Sequence, residues 1–218
     1  MGLKILMHYN VAKIDCDSEN LFDQEILDEI EPLLIENYLW MNNNYKPKVE
    51  IKLCCNDSIL LINFKVFETE VTAQYVNIND PVYKDSCVEF FINPFPELTN
   101  AYVNFEINAI GTLYAAYGEI GNRWKLEISD IKKIKVESTL VNPFVGKIDE
   151  KFWEIRLAIP FDIFEKYFDQ KIKFESAKSN FYKCGDETKY EHYGCWNKII
   201  SDKPNFHLPK YFGDLYFK

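Results

Sequence analysis

The sequence lacks long apolar runs and the common catalytic motifs. No stretch approaches the roughly 18 consecutive apolar residues of a transmembrane helix, and the longest apolar runs, such as residues 59–62, are short. The patterns G-x-G-x-x-G, Walker A, H-E-x-x-H and G-x-S-x-G are all absent. We therefore predict no membrane span, and nucleophilic catalysis has no support from a motif.

Basic residues are too few to balance the acidic ones. The chain has 25 Lys and Arg against 34 Asp and Glu, which gives a formal net charge of -9 and an isoelectric point of about 5.0. Nucleic acids and anionic membranes attract basic surfaces, so no nucleic acid is predicted as a partner. A neutral polar ligand fits this charge better.

The first ten residues, MGLKILMHYN, lack the features of a targeting segment. They contain one Lys and an apolar stretch too short for a signal peptide. Leu6 stands where the myristoylation pattern has Ser or Thr. The localisation therefore stays open, with the cytoplasm as the default expectation.

The cysteines lack C-x-x-C spacing, which a redox motif or a common zinc site would show. Two of the six are adjacent and would point to opposite faces of a strand. Reduced, buried thiols are therefore expected rather than a disulfide framework. The six residues are Cys16, Cys54, Cys55, Cys87, Cys184 and Cys195.

No metal site and no other cofactor are predicted, since no ligand spacing supports one. A structural calcium ion stays an open alternative. Sandwich domains often carry such ions, and Asp80, Asp186 and Glu187 fall in predicted loops.

The chain has enough apolar and aromatic residues to form the core of one β-rich domain. Its 218 residues are 47% hydrophobic and 16% aromatic, and bulky rings favour strands. Alternation predicts strands near residues 3–11, 33–40, 49–55, 60–66, 88–93, 102–108, 112–117, 133–140, 152–159, 172–182, 193–196 and 212–217. Residues 119–131 and 183–191 are predicted to be irregular.

Helix signals occur at two places. Residues 17–31 have apolar side chains at three-and-four spacing, Ser18 as an N-cap, and Pro32 directly after them. Pro160 suits the first turn of a short helix that carries Phe161, Phe164 and Phe168 on one side. The predicted fold class is therefore all-β: an antiparallel β-sandwich with one or two short helices.

The stretch of residues 80–108 organises the functional prediction. Val88, Phe90 and Ile92 alternate with Glu89, Phe91 and Asn93, and the next strand repeats the pattern. If the two strands pair as a hairpin, their polar positions form one surface of carboxylates, amides and rings. On the second strand these polar positions are Tyr102, Asn104, Glu106 and Asn108.

Five separated motifs resemble carbohydrate-binding module family 9 and its relatives in the DOMON-like group of sugar- and haem-binding sandwiches. They are PVYKDSCVEFFINP, NFEINAIGTLYAAY, NFYKCGD, the pair Cys195 and Trp196, and FHLPKYFGDLYF. The resemblance begins near Val49, so residues 1–48 are predicted to be an N-terminal extension packed on a single domain. It implies an immunoglobulin- or DOMON-like sandwich that binds a mono- or oligosaccharide, usually in the service of polysaccharide breakdown.

The resemblance also implies site residues. The family's aromatic position before the D-S-V-E segment matches Tyr83, its acidic position matches Glu89, and its second ring matches Phe206. The best-known sugar binders have tryptophan at both ring positions. Glu106 stands where those sugar binders have a cationic residue.

A pyranose offers an apolar face of C–H groups and a rim of hydroxyls. A site for it therefore combines aromatic platforms with side chains that donate and accept hydrogen bonds. The predicted ligand-binding residues, which supply these groups, are Tyr83, Glu89, Asn104, Glu106, Asn108, Lys183, Trp196 and Phe206.

Several of these residues have structural interpretations. Glu89 could pair with Lys183 or Arg156, and Trp196 suits a core position. His207 is expected to satisfy a loop carbonyl.

Two other functions stay open. Glu89 and Glu106 could act as the carboxylate pair of a glycoside hydrolase, although no sequence feature marks either for a raised pKa. A haem domain with Met and His ligands is disfavoured, because Met1, Met7 and Met41 all precede the matched region.

Overall fold

Strands make up most of the regular structure. The structure is a computed structural model that describes residues 6–15, 22–173 and 175–218. Its strands are β1 (His8–Lys13), β2 (Leu33–Leu34), β3 (Asn37–Tyr38), β4 (Lys48–Cys55), β5 (Ile59–Phe67), β6 (Glu70–Ala73), β7 (Cys87–Asn93), β8 (Tyr102–Asn108), β9 (Leu113–Glu119), β10 (Asn122–Lys125), β11 (Lys135–Ser138), β12 (Phe144–Lys147), β13 (Trp153–Pro160), β14 (Ser176–Gly185), β15 (His192–Cys195) and β16 (Gly213–Phe217). The helices are α1 (Gln24–Asp28), α2 (Ile128–Ile131) and α3 (Phe161–Phe168).

The strands form two layers that β1 joins. One layer has the order β10-β9-β8-β7-β14-β16 and the other has the order β4-β5-β13-β11. β1 pairs in parallel with β16 and then with β4, while β7, β8, β9 and β14 pair antiparallel. The predicted all-β sandwich is confirmed, and β1 is one of its central strands.

Aromatic rings from both layers fill the space between them. Phe90 stacks on Phe181 at 5.1 Å between ring centroids and on Phe105 at 6.1 Å. Phe64, from the opposite layer, meets Phe181 edge-on at 6.3 Å. All four rings are fully buried, and each contributes about 1.5 to 3 kcal/mol by leaving water.

The strongest hairpin prediction is confirmed. β4 and β5 pair antiparallel with Val49 opposite Val66. The turn between them is fixed by Asn56, whose side-chain oxygen accepts from the backbone N–H groups of Ser58 and Ile59 at 2.9 Å each.

The first predicted helix is shorter where the structure describes it, from residue 22 onward. It spans Gln24–Asp28, and its N-cap is Asp23, whose side chain accepts from the Glu25 N–H. The predicted N-cap, Ser18, lies outside the described residues. The predicted strand at 33–40 is two short ones, because the chain crosses between layers there: β2 pairs with β4, and β3 pairs with β15.

The second predicted helix is confirmed as α3, with Pro160 at its N-cap. Phe164 packs edge-on against Phe105 at 6.0 Å, and Phe168 meets Phe95 at 5.4 Å. The helix therefore closes one edge of the core. None of the described helices has the length and apolar character to cross a membrane.

Two predicted irregular segments contain strands. Residues 119–131 hold β10 and α2, since Gly118 and Gly121 adopt positive φ angles and turn the chain back along β9. A side chain at Gly118 would overlap the Asn122 carbonyl oxygen, which explains the need for glycine. β14 also runs on to Gly185, so Lys183 belongs to a strand rather than to a charged loop.

Candidate functional site

A row of polar side chains crosses the outer face of the first layer. The antiparallel register places Glu89 of β7 between Tyr182 of β14 and Glu106 of β8, and Tyr114 of β9 follows Glu106. Directly opposed residues have Cβ atoms about 4.5 to 5.5 Å apart. The hairpin predicted for residues 88–108 is therefore confirmed, and its polar positions share one face.

An open cavity of about 460 Å³ lies over this row. Tyr83, Glu89, Glu106 and Phe206 all line it. They come from a 3-10 turn at Val82–Lys84, from β7 and β8, and from the loop before Pro209. Four of the eight predicted site residues thus meet at one place, although they span more than 120 positions in the sequence.

The two predicted rings differ in how firmly they are held. Phe206 stacks on Tyr182 at 4.1 Å between centroids and 11° between planes, and Trp40 and Tyr193 contact it from the sides. Tyr83 is 39% exposed. Phe206 is therefore a fixed lining ring, and Tyr83 is a lining ring open to ligand and solvent.

The two glutamates are buried at the cavity floor. Burial raises the pKa of Glu106 to about 7, even though the Asn104 amide and the Arg123 charge oppose this effect. Burial, Cys184 and the Glu106 charge raise the pKa of Glu89 well above its usual range. This shift favours the protonated form of the Glu89 carboxyl, which can both donate and accept a hydrogen bond.

A third carboxyl, that of Asp186, also lines the cavity. Burial and the charge of Glu191 raise its pKa to about 6. Three carboxyls crowd one small volume, so a hydroxylated neutral ligand meets weaker opposition there than an anion.

A cation reaches the site from a strand that the sequence did not predict. Arg123 of β10 donates hydrogen bonds to the side-chain oxygen of Asn104 and to the backbone oxygen of Gly118. Asn104 in turn donates to Glu106 Oε1 at 2.8 Å, and the guanidinium lies 3.9 Å from the centre of the Tyr102 ring. Arg123 thus reaches Glu106 through Asn104 and does not itself line the cavity.

Several residues that line the cavity were not predicted from the sequence. Tyr114 faces Glu106 across β8 and β9, so the alternation of β9 is the signal that would have placed it in the site. Loop residues gave no such signal. The missed lining residues include Asn79, Tyr114, Lys125, Asp186, Tyr193 and His207.

Four predicted site residues do not line the cavity. Asn104 is fully buried beneath it, and Asn108 donates to the Tyr75 carbonyl and to Asp85 at 2.8 and 2.9 Å. Trp196 and Lys183 lie on the inner face of the layer. Trp196 packs against Phe181 at 5.7 Å, as its core interpretation predicted.

Three residues contact partners other than the predicted ones. Lys183 pairs with Glu68 at 3.1 Å rather than with Glu89, because it shares the inner face with Phe181. Arg156 pairs with Glu154 at 3.4 Å instead of with Glu89. His207 contacts the Tyr102 hydroxyl through Nδ1 at 2.8 Å and not a loop carbonyl.

Comparison with known proteins gives a consistent result. A model of carbohydrate-binding family 9 matches residues 17–217. The structure is similar to that of a candidate carbohydrate-binding protein from Bacteroides uniformis ATCC 8492, with 29% identity and a TM-score of 0.87 over 98% of this chain and 100% of that one. A search of curated proteins finds no significant match.

Two further similar structures are of a family 9 carbohydrate-binding module from Caldicellulosiruptor kristjanssonii. The complex with glucose has 12% identity and a TM-score of 0.64, over 97% of this chain and 96% of that one. The complex with cellotriose has 13% identity and a TM-score of 0.62, over 97% and 94%. At 12% and 13% identity, these two similarities support the fold alone.

Proposed function

The chain belongs to carbohydrate-binding family 9, and on this basis we propose that it binds a mono- or oligosaccharide without catalysing a reaction. The proposed site is the cavity between Tyr83 and Phe206, above Glu89 and Glu106. One observation carries the proposal: rings and carboxyls from four separate parts of the sequence line a single open cavity. A role in polysaccharide breakdown is the expected setting.

The cavity has the surfaces that a sugar needs. Its volume of about 460 Å³ falls within the roughly 300 to 1,000 Å³ usual for small-ligand sites. Phe206 offers a ring that Tyr182 already holds in place, so little conformational entropy is lost when a sugar packs on it. The exposed ring of Tyr83 can cover the ligand from the other side.

The floor suits hydroxyl groups in particular. A sugar hydroxyl is both a donor and an acceptor, and a protonated carboxyl has both capacities. Burial and the neighbouring groups raise the pKa of Glu89 and so favour this form. An uncharged ligand also avoids the repulsion that Glu106 and Asp186 would exert on an anion.

A glycoside hydrolase is the second candidate, and the raised pKa values of Glu89 and Glu106 favour it. The arrangement of the pair favours binding instead. The two carboxyls project from opposed positions on neighbouring strands into one floor, whereas hydrolase carboxyls flank the bond that they cleave. We expect no release of reducing sugar from any glycan that binds. Turnover that Glu89→Gln abolishes while binding persists would establish the hydrolase.

Replacing Tyr83 by alanine should weaken saccharide binding by about 1 to 3 kcal/mol, or roughly 5- to 150-fold in Kd. The variant removes one ring face and leaves the polar floor in place. A glycan array on the wild-type protein selects the ligand, with glucose and cellotriose included as probes. Calorimetry on the best ligand then compares the variants.

Tyr216→Ala is the matched control, since Tyr216 is also 39% exposed but lies on β16, away from the cavity. We expect the control to bind as the wild-type protein does. Equal affinity of Tyr83→Ala and the wild-type protein would place the site elsewhere.

A further inference from the structure

Two cysteines and a glutamate meet at the cavity floor. Cys87 of β7 and Cys184 of β14 are opposed residues of the ladder. Glu89 lies two positions after Cys87 and therefore points to the same face. Both Sγ atoms and a carboxylate oxygen lie within 4.8 Å of one another. Glu89 Oε1 is 3.1 Å from Cys184 Sγ.

These three donor atoms suit a thiophilic divalent cation. Zinc binds thiolate sulfur at about 2.3 Å and carboxylate oxygen at about 2.0 to 2.2 Å, which places two tetrahedral sulfur ligands about 3.8 Å apart. The three donor atoms already lie within 4.8 Å of one another, so small side-chain rotations would bring them to the distances of a zinc site. Calcium and magnesium prefer sites made of oxygen alone, so they are a poor match for two sulfurs.

The trio leaves one coordination position open. Cys184 and Glu89 line the cavity, while Cys87 is fully buried beside them. A tetrahedral ion held by the three side chains would therefore face the cavity with its fourth position, where water or a ligand oxygen can enter. Zinc sites with three protein ligands and one exchangeable position have this arrangement.

We propose that Cys87, Cys184 and Glu89 form a binding site for a thiophilic divalent cation, with zinc as the best match and the fourth position open to the cavity. The ion would be a contact point for a ligand oxygen at the cavity floor. This inference goes beyond saccharide binding, and it can hold whether or not a sugar is the ligand.

Cobalt and zinc titrations test the site directly. The full chain is reduced and stripped of metal, and Co²⁺ is added while the absorption is recorded, because a thiolate-to-cobalt charge-transfer band reports sulfur ligation. Calorimetry with Zn²⁺ gives the affinity and stoichiometry. We expect one ion per chain and a charge-transfer band with cobalt.

Variants separate this site from other thiols. Cys87→Ser and Cys184→Ser should each lose the band of the two-thiolate site and bind Zn²⁺ at least tenfold more weakly. Cys54→Ser is the matched control, since Cys54 is also fully buried but lies on β4 in the other layer, and it should bind as the wild-type protein does. Thermal unfolding shows whether each variant is folded.

Glu89→Gln decides the matter if either serine variant fails to fold. This variant keeps both thiols and removes the carboxyl, which would release its proton on binding the ion, so it should keep the cobalt band but bind Zn²⁺ at least tenfold more weakly. A wild-type protein without the band, or full zinc affinity in the folded variants, would overturn the proposal.

Discussion

Replacing Lys183 by alanine should lower the free energy of unfolding by about 3 to 5 kcal/mol. Its side chain is fully buried. The ammonium group lies 3.1 Å from Glu68 Oε2 and 2.7 Å from His192 Nε2. Glu68 also accepts hydrogen bonds from Trp153 Nε1 and the Tyr45 hydroxyl. Without the lysine, a buried carboxylate would keep its neutral donors but lose its counter-charge.

Lys178→Ala is the control for this prediction. Lys178 lies on the same strand, is partly exposed, and pairs with Asp214 at 2.6 Å. Solvent screens such pairs, so its loss should cost about 0 to 1 kcal/mol. Urea unfolding of both variants under one condition gives the comparison. Equal losses would mean that the buried pair contributes no more than a surface pair does.

At pH 8, Glu106→Gln should raise the free energy of unfolding by about 3 kcal/mol. In the folded chain the pKa of Glu106 is about 7, against an ordinary value of 4.5. As the pH rises from 4.5 to 7, the unfolded chain loses this proton first, and the folded state is destabilised. One pKa unit is worth about 1.4 kcal/mol. Glutamine carries no charge and keeps an oxygen that can accept from Asn104.

The pH dependence distinguishes this effect from better packing. Below pH 4.5 both states hold the proton, so the gain should vanish there. Glu137→Gln is the control, because Glu137 is an exposed glutamate on β11 and should change the stability little at either pH. Urea unfolding of the wild-type protein and both variants at pH 4 and at pH 8 gives the change in the free energy of unfolding for each variant at each pH. A loss of stability in Glu106→Gln at pH 8 would contradict the argument.

The buried carboxyls at the base of the cavity lower the stability of the fold, and this also bears on function. Stability alone favours an uncharged residue at a buried position. Glu89 and Glu106 are both buried there with raised pKa values. Residues that cost stability and face a cavity are characteristic of binding sites.

The period of two in strands explains why much of the site could be predicted from the sequence. In β7, Val88 and Phe90 must share one face because both are apolar, and Glu89 then points to the other. The same argument places Glu106 on the outer face of β8. The register of the hairpin makes the two residues direct neighbours.

The same rule could have placed Lys183 correctly. Phe181 and Lys183 are two positions apart in β14, and Phe181 is a core ring, so the lysine faces the core as well. Charge suggested a ligand-binding role instead. Its partner, Glu68, precedes β6, in a stretch for which no element was predicted. A buried ion pair between distant segments leaves no local pattern in a sequence.

Arg123 could not be predicted for a different reason. Its strand, β10, is only four residues long and depends on the positive φ angles of Gly118 and Gly121. With residues 119–131 interpreted as irregular, nothing placed a cation over Tyr102. Loop residues such as His207 enter the cavity through tertiary packing, which the sequence pattern does not record.

A crystal structure of the protein with the best saccharide from the glycan array tests the proposed binding site most directly. We expect the sugar between the rings of Tyr83 and Phe206, with its hydroxyls within hydrogen-bond distance of Glu89 or Glu106. A sugar bound at any other surface, with this cavity unchanged, would contradict this expectation.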